Sequence, residues 1–482
     1  MTKPHQPWFI RRAMPADVSR VHLIGIAGAG MGAFACMLQE SGFEVRGSDR
    51  NVYPPMSDVL TKRRISWMEG WDPAHLDWGP DLVIVGNVCR RDNPEAVAAE
   101  ARGIAAVSFP QAFADLYLVD RVPVVVAGTH GKTTTTSLTA YLLDGTGLGP
   151  GMLVGGVARN FDATYLIARE AGCPVVVEGD EYDTAYFDKG PKFLHYRAQI
   201  AVLNNIEFDH ADIYDDLDEI IENFDRLMDS LGSETVLLAN ADDALVMARA
   251  ARTRARVITY GFGEGADLRA VHIEPGPTGC DFTLVRRGET LGRVQSPLAG
   301  RHNVWNTLAA YGIAFELGVD FNALGEVIGG FLGTKKRQEE RGEINGVLVI
   351  DDYAHHPTAI RETLAALRAR YPGRRLWGVY EPKSNTARRN IHQEAYATAF
   401  DAADRVVFAQ PYQKDDGLTA ERMLDVDRLM AEISARGTLA IYRPDVASIL
   451  AHLVAEVEEG DLVVVMANSG FGGLIPNLLL AL

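Results

Sequence analysis

The sequence predicts an α/β protein in three domains, each built on a parallel sheet with helices on both faces. Apolar runs typical of buried strands alternate with helical patterns along nearly the whole chain, and this alternation is typical of parallel sheets. Two glycine-rich loops each follow an apolar run and open a helix. The chain has 482 residues, and a domain usually takes about 100 to 200.

The composition argues against several classes of protein. It is 47% hydrophobic and 23% charged, which is typical of a globular protein with a sizeable core. The net charge of −17 argues against a nucleic-acid binder but allows an anionic ligand in a local pocket. The four cysteines are widely spaced and form no CxxC, which favours buried thiols in a reducing compartment.

We expect a cytoplasmic protein that does not insert into a membrane. The N-terminal residues contain no apolar run long enough for a signal peptide, and no stretch of 18 apolar residues occurs further on. The sequence does not indicate an oligomeric state.

The first predicted domain covers residues 21–120 and follows a loose extension over residues 1–20. Buried strands are expected at 21–28 and 81–86, and a third strand at 43–47. Helical patterns occupy residues 31–41 and the segment that starts at Pro94.

The second and third predicted domains cover residues 121–333 and 334–482. The second contains an edge hairpin region over 267–299 and a helix over 303–317. We place the boundary at the charge run 334–346. The strands predicted in the second domain are 122–128, 174–180, 198–204, 234–240 and 256–262. The third domain alternates again, with strands expected in GVLVID, RLWGVYEP, RVVFAQP, TLAIYR and DLVVVMANSG.

The first glycine loop, GIAGAGMG, lies where the first strand feeds a helix. There the backbone of Gly28, Ala29, Gly30 and Met31 would approach a diphosphate, because a helix N-terminus favours negative charge. Asp49 ends the second strand about 20 residues later, the usual spacing for a ribose contact. Taken alone, this pattern indicates a dinucleotide site or simply a tight turn between a strand and a helix.

The second glycine loop gives a stronger signal for phosphate. Backbone N–H groups of such a loop surround phosphate oxygens, Lys132 reaches the β and γ phosphates, and Thr133 holds Mg²⁺. The loop is two residues shorter than the full GxxxxGK[ST] pattern. The residues assigned to ATP here are Gly128, Thr129, His130, Gly131, Lys132, Thr133 and Thr134.

Two phosphate loops on two domains favour a ligase. An oxidoreductase needs only the first loop and a switch NTPase only the second, whereas an ATP-driven enzyme that joins a nucleotide-linked substrate to another molecule needs both. An NAD-dependent oxidoreductase and a non-catalytic nucleotide sensor remain as alternatives at this point.

Acidic clusters follow two later strands and suit Mg²⁺, because carboxylates and an imidazole lie at carboxyl ends of strands. A solvated acidic loop is the alternative for each cluster. Further on, Asn303 and Asn306 share a helix face and would bind adenine or ribose, although Asn303 could instead cap the helix. The two clusters are Glu178, Asp180, Glu181 and Asp183, then Glu207, Asp209, His210 and Asp212.

A strand end later in the chain carries another candidate pair. Asp352 and His355 lie in IDDYAHHP, before a helix that starts with proline. A pair of adjacent histidines is usually a surface feature, but beside two aspartates at a strand end it becomes a candidate site.

These motifs occur in an order that resembles the Mur ligase family, the ATP-dependent amide ligases of bacterial cell-wall synthesis. The resemblance covers nearly the whole chain from about residue 21. It is carried by GIAGAGMG, GTHGKTTT, EGDEYD, N-x-E-x-D-H, H-N-x-x-N, an arginine at 337 and DYAHHP.

The resemblance implies a Rossmann-like N-terminal domain that binds a UDP sugar, a P-loop ATPase-like central domain and a Rossmann-like C-terminal domain for the acceptor. It implies that Lys132 contacts the ATP phosphates, that Thr133 and Glu178 hold one Mg²⁺, and that His210 holds a second. Asn303 and Asn306 would line the nucleotide site, with Arg337 and Asp352 reaching in from the C-terminal side.

Several stretches, among them GSDRNVYPPMS, YFDKGPKFLHY, EPKSNT and NSGFGG, are similar to family members that use a peptide acceptor. They imply that UDP-N-acetylmuramate is joined to the muropeptide L-Ala-γ-D-Glu-meso-diaminopimelate through an acyl phosphate. Free L-alanine is the alternative acceptor. Candidate acceptor-binding residues are His355, Lys383, Ser384 and Asn385.

Overall fold

A computed structural model describes residues 10–53 and 56–482. Residues 1–9 of the predicted extension and the two prolines of GSDRNVYPPMS lie outside the described residues. The strands are β1 Arg20–Ile24, β2 Glu44–Asp49, β3 Ser66–Glu69, β4 Leu82–Val85, β5 Ala105–Ser108, β6 Val122–Ala127, β7 Gly151–Ala158, β8 Ala163–Leu166, β9 Pro174–Gly179, β10 Ile200–Leu203, β11 Val236–Asn240, β12 Arg256–Gly261, β13 Leu268–Gly276, β14 Gly279–Arg286, β15 Glu289–Ser296, β16 Glu339–Ile344, β17 Val347–Asp352, β18 Leu376–Tyr380, β19 Arg405–Phe408, β20 Leu439–Tyr442 and β21 Leu462–Met466.

Helices follow most of these strands. They are α1 Ala29–Glu40, α2 Met56–Lys62, α3 Pro94–Ala101, α4 Phe109–Leu116, α5 Lys132–Gly145, α6 Leu217–Ser230, α7 Ala244–Ala250, α8 Arg301–Glu316, α9 Phe321–Ile328, α10 Pro357–Arg370, α11 Gln393–Ala399, α12 Val426–Ala435, α13 Val446–Glu456 and α14 Leu474–Ala481. Among the described residues, none of the helices is both long enough and apolar enough to cross a bilayer.

The chain divides into two compact units, and the first contains two sheets. It comprises residues 1–207, 217–269 and 308–327. Its N-terminal sheet is parallel, in the order β3-β2-β1-β4-β5, with Val21 opposite both Val45 and Leu82. The predicted parallel sheet of the N-terminal region is therefore confirmed.

The last residues of the predicted extension are anchored rather than loose. The backbone of Arg12 exchanges hydrogen bonds of 2.9 and 2.6 Å with the side chain of Gln111 on α4. The Arg12 guanidinium also lies 3.6 Å from the centre of the Phe187 ring.

The central sheet of the first unit places the second glycine loop between two other strand ends. Its strands run in the order β12-β11-β10-β6-β9-β7-β8, and all are parallel except β8, which is antiparallel to β7. Ala127 at the end of β6 lies opposite Gly179 of β9 on one side and Leu203 of β10 on the other. Because the strands are parallel, the loops after β6, β9 and β10 meet at one edge of the sheet.

The second unit comprises residues 208–216, 270–307 and 328–482. Its C-terminal sheet has the order β16-β17-β21-β18-β19-β20 and is parallel except for β16. Apolar side chains pack on both of its faces. The charge run 334–346 was predicted only as a boundary, but it contains β16, an edge strand whose polar residues face solvent.

The predicted hairpin region contains an antiparallel pair, β14 and β15. Arg286 pairs with Glu289, which leaves Arg287 and Gly288 as a two-residue turn with φ values of 48° and 83°. Two successive left-handed residues match the twist of a hairpin, so the glycine-containing turn is confirmed.

We predict that Gly312→Ala destabilises the first unit. A Cβ at Gly312 on α8 would lie 2.1 Å from Cδ2 of Leu238 on β11, and such overpacking costs about 1–3 kcal/mol. Urea denaturation measures the change. The control is Gly325→Ala on α9, where a Cβ meets nothing within 4 Å. There the substitution should raise the free energy of unfolding by about 0.5–1 kcal/mol, because alanine has the higher helix propensity. Equal urea midpoints for the two variants would contradict the close packing of Gly312 against Leu238.

Candidate active site

The second glycine loop is clamped from the end of β10 by Asn205. The backbone N–H groups of Thr129 and His130 donate to the backbone oxygen and Oδ1 of Asn205, at 3.0 and 2.7 Å. Asn205 Nδ2 donates back to the His130 carbonyl at 3.2 Å. Gly128 adopts a φ of 125°, and a Cβ there would lie 3.0 Å from the Asn205 backbone. Only glycine therefore fits this close approach without strain.

The N–H groups of Thr129 and His130 are thus engaged by the protein. The next backbone donors along the chain are those of the first turn of α5, which begins at Lys132 and has no intrahelical acceptors for its first N–H groups. Gly131, Thr133 and Thr134 therefore offer backbone donors at a positive helix end.

Lys132 bends back over this loop. Its Nζ donates to the carbonyls of Gly128 and Thr129 at 2.6 and 3.2 Å and to Glu181 Oε2 at 2.9 Å. Glu181 is only 1% exposed. Burial opposes the charge of Lys132, but the charges of Glu181 and Asp180 raise its pKa. The lysine is therefore a cation fixed beside the helix start.

Glu178 at the end of β9 presents a carboxylate oxygen toward this site. Its Oε2 accepts the N–H of Gly155 at 2.8 Å, while its buried Oε1 has no hydrogen-bond partner among the described residues. Burial, followed by the charge of Asp180, raises the pKa of Glu178, while nearby Thr133, the Gly155 N–H and Lys132 oppose this rise. An unsatisfied carboxylate oxygen next to a threonine hydroxyl suits a hard cation.

The first glycine loop lies in the same unit, at the end of β1. Gly28 and Ala29 are exposed, whereas the Met31 side chain is buried beneath the loop. Asp49 Oδ2 accepts the N–H of Ala27 at 3.0 Å, so this carboxylate also fixes the loop.

The remaining predicted residues belong to the second unit, where Asp209 joins the segment 208–216 to the C-terminal loops. Asp209 Oδ2 lies 3.7 Å from His355 Nε2, and the Ala211 N–H donates to Thr386 Oγ1 at 3.1 Å. Burial opposes ionisation of Asp209, but the hydrogen bond and charge of His355 hold its pKa well below the usual range.

His210 follows directly and has a left-handed backbone with φ 57°. Its N–H donates to Asp209 Oδ1 at 2.7 Å, and its carbonyl accepts the N–H of Ile213 at 2.8 Å. Such a conformation costs a non-glycine residue about 1–3 kcal/mol and is common where function fixes a side chain.

Asp352 is buried in the second unit and interacts electrostatically with the partly buried Arg337. Asp352 Oδ2 accepts the N–H of Gln338 at 2.8 Å, and its Oδ1 accepts the N–H of Ala354 at 2.7 Å. Burial raises the pKa of Asp352, and the charge of Arg337 opposes this rise. The carboxylate therefore anchors the turn that carries Arg337.

The asparagine pair on α8 shares one helix face, as predicted. Asn306 Nδ2 donates to Asn303 Oδ1 at 2.9 Å, and Asn303 Nδ2 donates to the Ala299 carbonyl at 2.8 Å. The alternative that Asn303 caps the helix is wrong, because α8 begins two residues earlier at Arg301.

The three residues proposed from EPKSNT lie in the loop after β18. Lys383 Nζ is 3.7 Å from Glu381 Oε1, and Ser384 Oγ accepts the N–H of Ala387 at 3.0 Å. The Asn385 carbonyl accepts a hydrogen bond from Arg389 at 3.0 Å. Ser384 and Asn385 therefore shape this turn.

Sequence reasoning missed Asn205, Gly155 and Lys192 as site residues. Asn205 is the first residue of N-x-E-x-D-H, but its side-chain contacts with the glycine loop depend on strand order. Gly155 lies outside every motif, and nothing local indicates that its N–H faces Glu178.

Three protein-family models match successive parts of the chain. Residues 20–120 match the model described as the Mur ligase family, catalytic domain. Residues 126–314 match the Mur ligase middle domain, and residues 336–469 match the Mur ligase, glutamate ligase domain.

Individual relatives match over almost their full lengths. The UDP-N-acetylmuramate–L-alanyl-γ-D-glutamyl-meso-2,6-diaminoheptandioate ligase of Escherichia coli K12 is 37% identical, over 95% of this chain and 97% of that protein. The UDP-N-acetylmuramate–L-alanine ligase of Caulobacter vibrioides is 33% identical, over 95% of both. The crystal structure of a murein peptide ligase from Psychrobacter arcticus is 32% identical with a TM-score of 0.71, covering 96% of this chain and 98% of that one.

We predict that Asn205→Ala weakens ATP binding about tenfold, because two hydrogen bonds that fix the glycine loop, worth about 0.5–1.5 kcal/mol each, are lost. Equilibrium titration with ATP measures this change. Asn205→Asp is the graded control, because a carboxylate still accepts from the His130 N–H but does not donate to its carbonyl. Unchanged affinity in the alanine variant would show that the clamp is unnecessary.

We predict that Asp209→Asn destabilises the protein by about 1–3 kcal/mol at pH 7, because a charge-assisted contact with His355 is lost. The depressed pKa of Asp209 means that its contribution is complete above the unfolded-state pKa of about 3.9 and fades as the pH falls further. Urea midpoints at several pH values should therefore converge with those of the wild type below about pH 4. Substitution of the exposed Asp229 by Asn is the control. A difference in urea midpoint between wild type and Asp209→Asn that grows as the pH falls would contradict the expected pH dependence.

Proposed function

The chain belongs to the Mur ligase family of ATP-dependent ligases, and on this premise we propose that it joins UDP-N-acetylmuramate to L-Ala-γ-D-Glu-meso-diaminopimelate in the recycling of peptidoglycan. The predicted family, the ligase activity and the three-domain α/β fold are thereby confirmed. The oxidoreductase and sensor alternatives do not agree with this membership. The observation that carries the proposed acceptor is the 37% identity to the Escherichia coli enzyme over 95% of this chain. We also propose a cytoplasmic location.

We assign UDP-sugar binding to residues 21–120, ATP binding to 121–333 and acceptor binding to 334–482. Gly28, Ala29, Gly30, Met31 and Asp49 would serve the UDP sugar. ATP phosphates would meet the glycine loop, with Asn303 and Asn306 lining the nucleotide site. His355, Lys383, Ser384 and Asn385 would serve the acceptor, and Arg337 and Asp352 would act from the C-terminal side.

Lys132 is the proposed phosphate-contacting cation. Its present partners are two carbonyls and Glu181, so the ammonium already lies at the start of α5. A fixed cation that faces the site where negative charge develops lowers the barrier without reorganisation during the reaction.

The residues present fit a magnesium site. The unsatisfied Oε1 of Glu178 and the hydroxyl of Thr133 would hold one ion, and His210 would serve a second. Bound Mg²⁺ would supply positive charge that neutralises the phosphate oxygens.

The proposed reaction has two bond-forming steps. A muramoyl carboxylate oxygen attacks the γ phosphorus of ATP, and ADP leaves. The free amine of the acceptor then attacks the carbonyl carbon of the acyl phosphate, and inorganic phosphate leaves as the amine loses its proton. Activation is needed because a carboxylate is a poor electrophile. Enclosure of the site would protect the acyl phosphate from water.

The rival acceptor is free L-alanine, favoured by the 33% identity to the Caulobacter enzyme. A peptide offers contacts far from the reacting amine, and such remote contacts supply binding energy for catalysis.

We expect phosphate release from ATP and UDP-N-acetylmuramate to be at least about 100-fold more efficient with the tripeptide than with L-alanine, as a few remote contacts suffice for such a ratio. The measurement is kcat/KM for the tripeptide, for L-Ala-γ-D-Glu and for L-alanine. Reactions without UDP-N-acetylmuramate are the control for uncoupled ATP hydrolysis. A preference for L-alanine would identify an L-alanine-adding ligase instead.

A further inference from the structure

A second lysine–carboxylate pair lies beside the phosphate-loop lysine in the first unit. Lys192 Nζ is 2.7 Å from Asp180 Oδ2, and Lys132 Nζ is 2.9 Å from Glu181 Oε2. The side chains of Lys192 and Asp180 are 17% and 15% exposed. Two adjacent acidic residues after β9 thus each have their own lysine.

Lys192 is held in place by several contacts. Its backbone N–H donates to the Asp180 carbonyl at 3.1 Å. Its Nζ lies 3.3 Å from the Tyr182 hydroxyl and 4.3 Å from the centre of that ring. The Tyr182 hydroxyl in turn donates to Asp180 Oδ2 at 2.9 Å. The side-chain oxygen of Asp180 is therefore fixed by two donors that are themselves in contact.

The charges of this cluster nearly balance. Glu178, Asp180 and Glu181 are opposed by Lys132 and Lys192, and removal of Lys192 would leave a second negative charge without a cation. A buried charge without a partner is costly. Lys132 also interacts electrostatically with Asp180. Asp180 would therefore compete with Glu181 and with phosphate for Lys132.

We propose that Lys192 is a positioning residue of the ATP site, which by pairing with Asp180 keeps that carboxylate from capturing Lys132. The inference rests on the proposed role of Lys132 in phosphate binding. The sequence contains no lysine between Lys192 and Lys335, so no lysine in that stretch could replace it.

The test uses the full chain and measures ATP dissociation constants without acceptor, phosphate release and thermal melting. Lys192→Met should weaken ATP binding about tenfold, a typical coupling for contacting charged residues. Lys192→Arg, which keeps the ion pair, should stay within about threefold of wild type. Lys189→Met is the matched control, because Lys189 pairs with Asp183 and its side chain is 45% exposed.

The decisive variant is the double substitution Asp180→Asn with Lys192→Met. It removes both charges, so it should bind ATP at least about threefold more tightly than Lys192→Met alone. Asp180→Asn alone is measured beside them, because it leaves Lys192 without its carboxylate partner and so shows the effect of that unpaired cation. A double variant as weak as Lys192→Met would show that Lys192 itself contacts substrate, and a Lys192→Met variant equal to wild type would also overturn the proposal.

Two further outcomes keep the test decisive. If Lys192→Met does not fold, the charge-balanced double variant and Lys192→Arg still decide the question: near-wild-type affinity in both supports the proposal, and a tenfold loss in either overturns it. Lys132→Ala is measured in parallel. If its ATP affinity and turnover match the wild type, the proposed role of Lys132 fails, whatever Lys192 does.

Discussion

The central constraint on the first unit is the cost of burying charge where β9 ends. Three carboxylates lie within the four residues 178–181, and burial in a protein interior is tolerated only when charges are paired or hydrogen-bonded. Lysines neutralise Asp180 and Glu181, while Glu178 keeps one oxygen unsatisfied among the described residues. Pairing of two carboxylates therefore leaves the third as the one that would meet a bound cation. The chemical character of the site follows from this unequal pairing more than from the number of acidic residues.

Strand order brings this cluster to the phosphate loop. Because β6 lies between β9 and β10, the loop that contains Lys132 is flanked by the acidic cluster on one side and by Asn205 on the other. Backbone geometry is part of the same arrangement, since Gly128 approaches Asn205 too closely for any side chain. The second unit follows the same rule, with β21 between β17 and β18. Each unit thus builds its candidate site from loops at the carboxyl ends of adjacent parallel strands.

Local patterns in the sequence were sufficient for the buried strands and the two glycine loops, because apolar runs and glycine spacing are local signals. Local patterns did not predict the features that depend on which segments become neighbours in the folded chain. The strand β16 lies in a charge run because an edge strand tolerates polar residues, and α8 begins before the expected Asn303. The contacts of Asn205, and of Gly155 with Glu178, depend on which strands become neighbours. No spacing along the chain contains that information.

Several carboxylates that the motifs single out hold loops in this structure. Asp49 accepts an N–H of the first glycine loop, Asp352 fixes the turn beside Arg337, and Asp209 fixes the backbone of His210. A backbone amide and a substrate hydroxyl both donate a hydrogen bond to a carboxylate. A carboxylate that already accepts from a loop therefore binds a ligand only through its remaining oxygen lone pairs. Substituting such a residue therefore moves the loop as well as removing a charge. Glu178 differs because its second oxygen has no protein partner among the described residues, and for that reason it is the carboxylate whose removal bears most directly on a bound cation.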